Sequence, residues 1–152
     1  MKYLGDFKNW KKIVIADETS HNWIGLKLKI GLDNFDHQWF GEGFNYYVTI
    51  INLAKSKIIY TGAFISYLNK VNLELYYTSP VKDSSNAAIA KKYRTDYKNF
   101  GKLPYRRGFI YAFYLDNKIR LSSRGEFTLR NLLMDMMSLR KSKREEEIIY
   151  VR

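Results

Sequence analysis

Residues 23–32 carry the most restrictive pattern in the chain. Ile24, Leu26, Leu28, Ile30 and Leu32 alternate with other residues, Lys27 and Lys29 among them. A period of two sorts side chains onto opposite faces of a pleated strand, so this run predicts a half-buried β-strand. Residues 44–53 and 57–62, rich in β-branched and aromatic side chains, read as a second and third strand joined by a turn at 54–56. With a short strand at 12–16, residues 1–63 read as an antiparallel meander with one solvated face.

Residues 71–77 alternate again and predict another strand. Ser85 opens a predicted helix over 85–99, with Gly101 as its stop signal and Pro104 beyond. On a helical wheel Ile89, Tyr93, Tyr97 and Phe100 form the inner face, and Lys91, Arg94 and Lys98 the outer one. A strand over 107–115, a two-residue turn at Asp116-Asn117 and a strand over 118–122 read as a hairpin. Ser123-x-x-Glu126 fits a capping box ahead of a second helix at about 124–141. Its apolar arc holds Leu129, Leu132, Leu133, Met136, Met137 and Leu139, and a strand over 148–151 closes the chain. The expected fold is therefore α+β: an antiparallel β-sheet with two principal helices, in one domain spanning 1–152. From residue 71 onward the order resembles the βαββαβ ferredoxin-like arrangement.

Charge is distributed unevenly. Residues 1–85 hold ten Lys, no Arg and eight acids, whereas residues 86–152 hold seven Lys, nine Arg and seven acids. The second part thus supplies nine of the eleven net positive charges. Arg presents a planar, weakly hydrated fork suited to phosphates and base edges. The densest stretch is Lys91, Lys92, Arg94, Lys98, Lys102, Arg106 and Arg107, with Tyr105 interleaved as a stacking candidate. Arg140, Lys141, Lys143 and Arg144 form a second cluster, placed where a helix C-terminus favours cations.

Cysteine is absent, which excludes disulfides, thiolate-bound metal and a thiol nucleophile. His21 and His37 are the two histidines, so no HExxH motif is present. Asp33, Asp36, His37 and Glu42 share a loop with carboxylates of the kind that bind Mg²⁺ or Mn²⁺, but their spacing matches no known metal motif. That loop reads as structural, and no metal or cofactor is expected. Ser20 and His21 stand side by side, but adjacency in sequence does not make a catalytic pair. Arg107, Gly108, Phe109, Tyr111 and Tyr114 match part of the RNP1 signature of RNA-recognition domains, while Ile110 and Ala112 depart from it. The strand order also disagrees, so no family is assigned.

A net charge of +11 with 16% aromatic residues favours a polyanionic partner. The expected function is non-enzymatic binding of nucleic acid, RNA or single strands ahead of duplex DNA, or of a nucleoprotein complex. Two alternatives stand beside it. One is an accessory inhibitor from a phage or mobile element, of the anti-CRISPR or anti-restriction type, since Lys, Asn, Ile and Tyr supply 55 of 152 residues, as in AT-rich genomes. The other is a metal-dependent nuclease. With no long apolar run and no signal-peptide core at residues 1–10, the expected location is cytoplasmic, away from membranes.

Overall fold

The computed structural model describes the backbone of residues 4–30 and 37–150, and side chains at 10–30, 37–69, 73 and 76–141. The described residues form an all-helical fold: α1 (Leu4–Ser20), α2 (Asn45–Lys55), α3 (Thr61–Ser66), α4 (Leu75–Tyr77), α5 (Asn86–Lys92), α6 (Tyr97–Phe100), α7 (Leu103–Ser122) and α8 (Leu129–Tyr150). Two π-helical stretches, Trp39–Phe44 and Tyr67–Glu74, run directly into α2 and α4. Among these residues the β-structure is one isolated bridge, Ile24 to Leu28. The expected α+β fold with its antiparallel sheet and ferredoxin-like half is overturned.

The alternating run fails for a visible reason. Ile24 and Leu28 are buried, but Leu26, on the same supposed face, is 61% exposed. The chain turns sharply here: Gly25 has φ +104°, its N–H donates to the Leu28 carbonyl, and Leu28 N–H donates to the Trp23 carbonyl. Residues 31 and 32 lie outside the described residues. Segment 44–53 misleads through its β-branched residues, which a helix accepts once tertiary burial rewards it. In α2 the buried side chains are Asn45, Thr49 and Leu53, four apart, with Tyr47 and Ile50, three apart, beside them, so burial follows a helical period. The expected strands at 12–16, 71–77, 107–115 and 118–122 are likewise helical, as is the described part of 148–151. Pro104 begins a helix rather than ending one, at a first-turn position where its missing N–H costs nothing.

The chain divides into two compact units, Met1–Ala112 and Phe113–Arg152. In the first, Ile13 of α1, Tyr47 and Ile50 of α2, Ile59, and Phe109 of α7 are almost wholly buried. The rings of Tyr47 and Phe109 meet edge to face at 5.4 Å. Where the stretch 39–44 meets α7, Gly43 and Gly108 bring two backbones into contact. A Cβ on Gly108 would overlap the Trp39 carbonyl oxygen, and one on Gly43 would stand 2.7 Å from the Gly108 carbonyl carbon. A smaller cluster joins Ile89, Phe100 and Leu103, with Tyr76 and Val81 against it.

The expected helix over 85–99 starts where sequence placed it, since Ser85 Oγ accepts from Ala88 N–H at 3.1 Å. It stops at Lys92, and a turn separates it from α6. Ile89 and Phe100 are buried as expected, while Tyr97 is 50% exposed, because the break rotates it off the inner face.

In the second unit, α8 begins at Leu129, later than the expected start near 124, and continues to Tyr150. The capping box does not form. Ser123 Oγ instead accepts from Phe127 N–H at 2.9 Å, around a turn with Arg124 and Gly125 at φ 52° and 89°. Buried Asp116 caps the helix from a distance: Oδ1 accepts from Leu129 N–H at 2.6 Å and Oδ2 from Arg120 Nε at 3.0 Å. That completes one of the orphan donors of a helix start. No helix of the described residues is long and apolar enough to cross a membrane.

Candidate functional site

The last turn of α1 and the residue after it read Asp17-Glu18-Thr19-Ser20-His21, with His21 N–H still donating to the Asp17 carbonyl at 3.2 Å. Positions i and i+4 share a helical face, so Asp17 and His21 project together. The π-helical stretch Trp39–Phe44 carries Glu42 to the same place: His21 Nε2 stands 3.5 Å from Glu42 Oε2. A π-turn shifts the register of the side chains it carries, and such turns recur at functional sites. Here it also contains Gly43, whose lack of a side chain permits the contact with Gly108. Tyr105, near the start of α7, completes the group through a hydroxyl hydrogen bond to Glu42.

Each member is held by further bonds. Asn45 Nδ2 donates to Asp17 Oδ1 at 2.8 Å and to the Asp17 carbonyl at 3.0 Å. Thr49 Oγ1 lies 3.0 Å from Ser20 Oγ, which donates to the Ala16 carbonyl. His21 Nδ1 lies 3.2 Å from the Ile24 carbonyl, which fixes the ring with Nε2 toward Glu42. The turn at Gly25 makes this possible, because a Cβ there would stand 3.2 Å from His21 Nδ1. Tyr93 is hydrogen-bonded to both Tyr105 and Gln38, and it meets Tyr97 edge to face at 5.7 Å. Among the described residues, the buried Oδ1 of Asn45 and Oε1 of Gln38 find no hydrogen-bond partner.

The electrostatics follow from this enclosure. Burial, with the nearby Glu42 and Glu18 charges, raises Asp17 to about 6 against the pull of His21 and Asn45. The hydrogen bond to Glu42, reinforced by the Glu42 and Asp17 charges, raises His21 to about 9 despite burial. Burial alone would raise Glu42, but hydrogen bonds from His21 and Tyr105 and the charges of His21 and Lys102 outweigh it and lower it. Burial and the Glu42 charge push Tyr105 far up, so its hydroxyl stays neutral. Near pH 7 the group holds an imidazolium, a carboxylate on Glu42, and Asp17 poised close to its titration point.

The basic residues singled out in the sequence occupy several environments. Lys91, Lys92, Arg94, Lys98 and Lys102 are exposed on α5, α6 and the connections around them. Lys102 Nζ lies over the Tyr105 ring at 4.8 Å, and Lys92 Nζ over Phe100 at 5.3 Å. Tyr105 faces the polar group rather than standing as an open stacking platform. Arg107 serves the fold: it donates to Asn86 Oδ1 at 2.6 Å and to the Lys82 and Ser84 carbonyls at 2.8 and 2.7 Å. Arg106 is half-buried, and burial lowers it. In the second unit Arg140 is half-buried and Lys141 exposed, while the side chains of Lys143 and Arg144 lie outside the described residues.

Sequence reasoning set aside Ser20 and His21 as a catalytic pair and Glu42 as a metal ligand, and did not weigh Asp17. The missed signal was Asp17-Glu18-x-x-His21 at the C-terminal end of a helix, the spacing of HExxH with a carboxylate in the first position. Asp33 and Asp36, weighed beside Glu42, lie outside the described residues. Among the described residues no three His, Asp or Glu side chains are grouped so as to hold a metal ion. No protein-family model matches the chain, and no curated protein is significantly similar to it.

Proposed function

We propose that the chain is a hydrolase acting on a carbonyl group, an amide or ester, through Asp17, His21, Glu42 and Tyr105. The observation that carries this reading is the convergence of two carboxylates, an imidazole and a phenol, drawn from three separate helical segments. Perturbed titratable groups held together in this way mark sites of chemistry. Asp17 is the base: a group titrating near the working pH both takes and returns protons. It removes a proton from water as the oxygen adds to the carbonyl carbon. The positive charge of the His21 imidazolium then stabilises the developing oxyanion, while its N–H groups stay on Glu42 and the Ile24 carbonyl and the Tyr105 hydroxyl stays on Glu42. The proton on Asp17 passes to the leaving nitrogen or oxygen as the bond breaks.

Two carboxylates against one imidazolium leave the group with excess negative charge, which repels a phosphodiester and tolerates a neutral carbonyl. Asp, His and Glu are also zinc-ligand types. The test is therefore turnover of fluorogenic peptide and ester substrates by the wild type, Asp17→Asn and Glu42→Gln, each with EDTA and with added Zn²⁺. Cleavage that resists EDTA and is lost in Asp17→Asn supports the proton-transfer route. Cleavage that depends on Zn²⁺ refutes the proton-transfer route, because these side chains are not grouped so as to hold a metal ion. No cleavage under any condition refutes the reading.

A second reading is nucleic-acid binding, favoured by the exposure of Lys91, Lys92, Arg94 and Lys98. Binding to about four to six phosphates gives a log K against log salt slope of roughly −3 to −5. A slope near zero removes it.

A further inference from the structure

The apolar arc of α8 is wider than the part of it that is covered. Leu129 and Leu133 are buried, whereas Leu132 and Leu139, further round the helix, are 38% and 66% exposed. From Leu132 this uncovered edge continues in steps of four and three through Met136, Leu139, Lys143, Glu146 and Tyr150. Such a repeat is a heptad seam, the pair of positions that faces a neighbouring helix in a coiled coil. Halfway along, the seam exchanges apolar residues for one cation and one anion. Their order is unfavourable for the helix alone. The glutamates at 145–147 lie toward the C-terminal end of α8, where the macrodipole favours cations. Lys ahead of Glu is also the weaker orientation of a pair within one helix.

We propose that α8 pairs antiparallel with α8 of a second copy of this chain, along the seam from Leu139 to Tyr150. Charge complementarity selects both the occupant and its direction. A two-fold axis between positions 144 and 145 sets Lys143 opposite Glu146 of the second copy, and Glu146 opposite its Lys143. The same axis sets Leu139 opposite Tyr150 of the second copy, and the reverse. The seam is thus complementary to itself, as a two-fold interface requires. A parallel pair would instead bring Lys143 onto Lys143 and Glu146 onto Glu146, two like-charge layers at its centre. The paired stretch of twelve residues, at 1.5 Å each, is about 18 Å long. Polar residues in a seam fix register at a cost in stability, so the dimer forms reversibly with concentration. This surface is independent of the hydrolytic reading.

Sedimentation equilibrium of the full chain, with melting temperatures recorded, tests this on five samples: the wild type, K143E, E146K, their equimolar mixture, and K143E/E146K. The wild-type mass should rise with concentration from the 18.1 kDa of one chain toward twice that value. Each single variant sets like charges opposite one another at both central layers, so its dimer should weaken at least about tenfold. The mixture should recover association, because each variant then meets the opposite charge on the other. K143E/E146K should dimerise as the wild type does. A Lys143–Glu146 pair confined to one helix would change melting in the single variants but leave the mass unmoved. A one-chain mass for the wild type up to about 1 mM overturns the proposal. So does a dimer that K143E and E146K leave unchanged, or a mixture that associates no better than its components. If a single variant melts early, K143E/E146K provides the comparison, and its failure to dimerise counts against the seam.

Discussion

Replacing His21 with Gln should flatten the pH dependence of stability over one defined window. His21 is raised from its ordinary 6.5 to about 9 because the protonated ring gains Glu42 and Asp17. The folded state therefore holds the proton more tightly than the unfolded chain. The resulting stabilisation is fully present below pH 6.5 and is lost as pH rises through 9. At about 1.4 kcal/mol per unit, the shift is worth roughly 3 kcal/mol. Partial solvent contact of both partners, 22% and 25% exposed, trims this to roughly 2–3 kcal/mol. For a chain of this length 1 kcal/mol moves the melting temperature by about 2–4 °C. Scanning calorimetry at pH 6 and pH 9.5 should then show the wild type losing roughly 5–10 °C more than His21→Gln. Glu42 titrates lower and Tyr105 higher, but Asp17, at about 6, is still titrating at the lower end of the window, so a third scan at pH 7.5 separates its contribution from that of the imidazole. Parallel losses in both proteins would refute the assigned ion pair.

Gly108→Ala drives a Cβ into the Trp39 carbonyl and should cost about 1–3 kcal/mol or more, read from urea midpoints. Asp116→Ala strips Leu129 N–H and Arg120 of their acceptor and should cost roughly 1–3 kcal/mol, with faster amide exchange at the start of α8. Tyr97→Ala should change stability by less than about 1 kcal/mol because the ring is half exposed, whereas Phe109→Ala should cost about 3–5 kcal/mol.

Local features were more legible in the sequence than the architecture. Ser85 as a helix cap and the apolar burial of Ile89 and Phe100 follow directly from residue type and helical spacing. Architecture was lost to two ambiguities. Alternation over 23–32 mimicked a strand, although a glycine with positive φ turns the chain there and leaves Leu26 outside. The β-branched run in α2 gave a strand-like composition to residues whose burial follows a helical period. The site was hidden differently. Asp17 and His21 are four apart, but Glu42 and Tyr105 join them only through tertiary structure, and the HExxH spacing with an Asp in its first position does not read as a motif. Tyr105 looked like a surface aromatic because its neighbours are lysine and arginine.

The most direct test of the account is turnover of an amide substrate by Asp17→Asn beside the wild type, at matched melting temperature. Asn is close in volume to Asp, but it neither accepts nor returns a proton at neutral pH. The wild type should cleave the substrate, and the variant should lose at least about a hundredfold, within the range for removing a general base. Equal turnover in the two folded proteins, or none in the wild type with or without Zn²⁺, would contradict it.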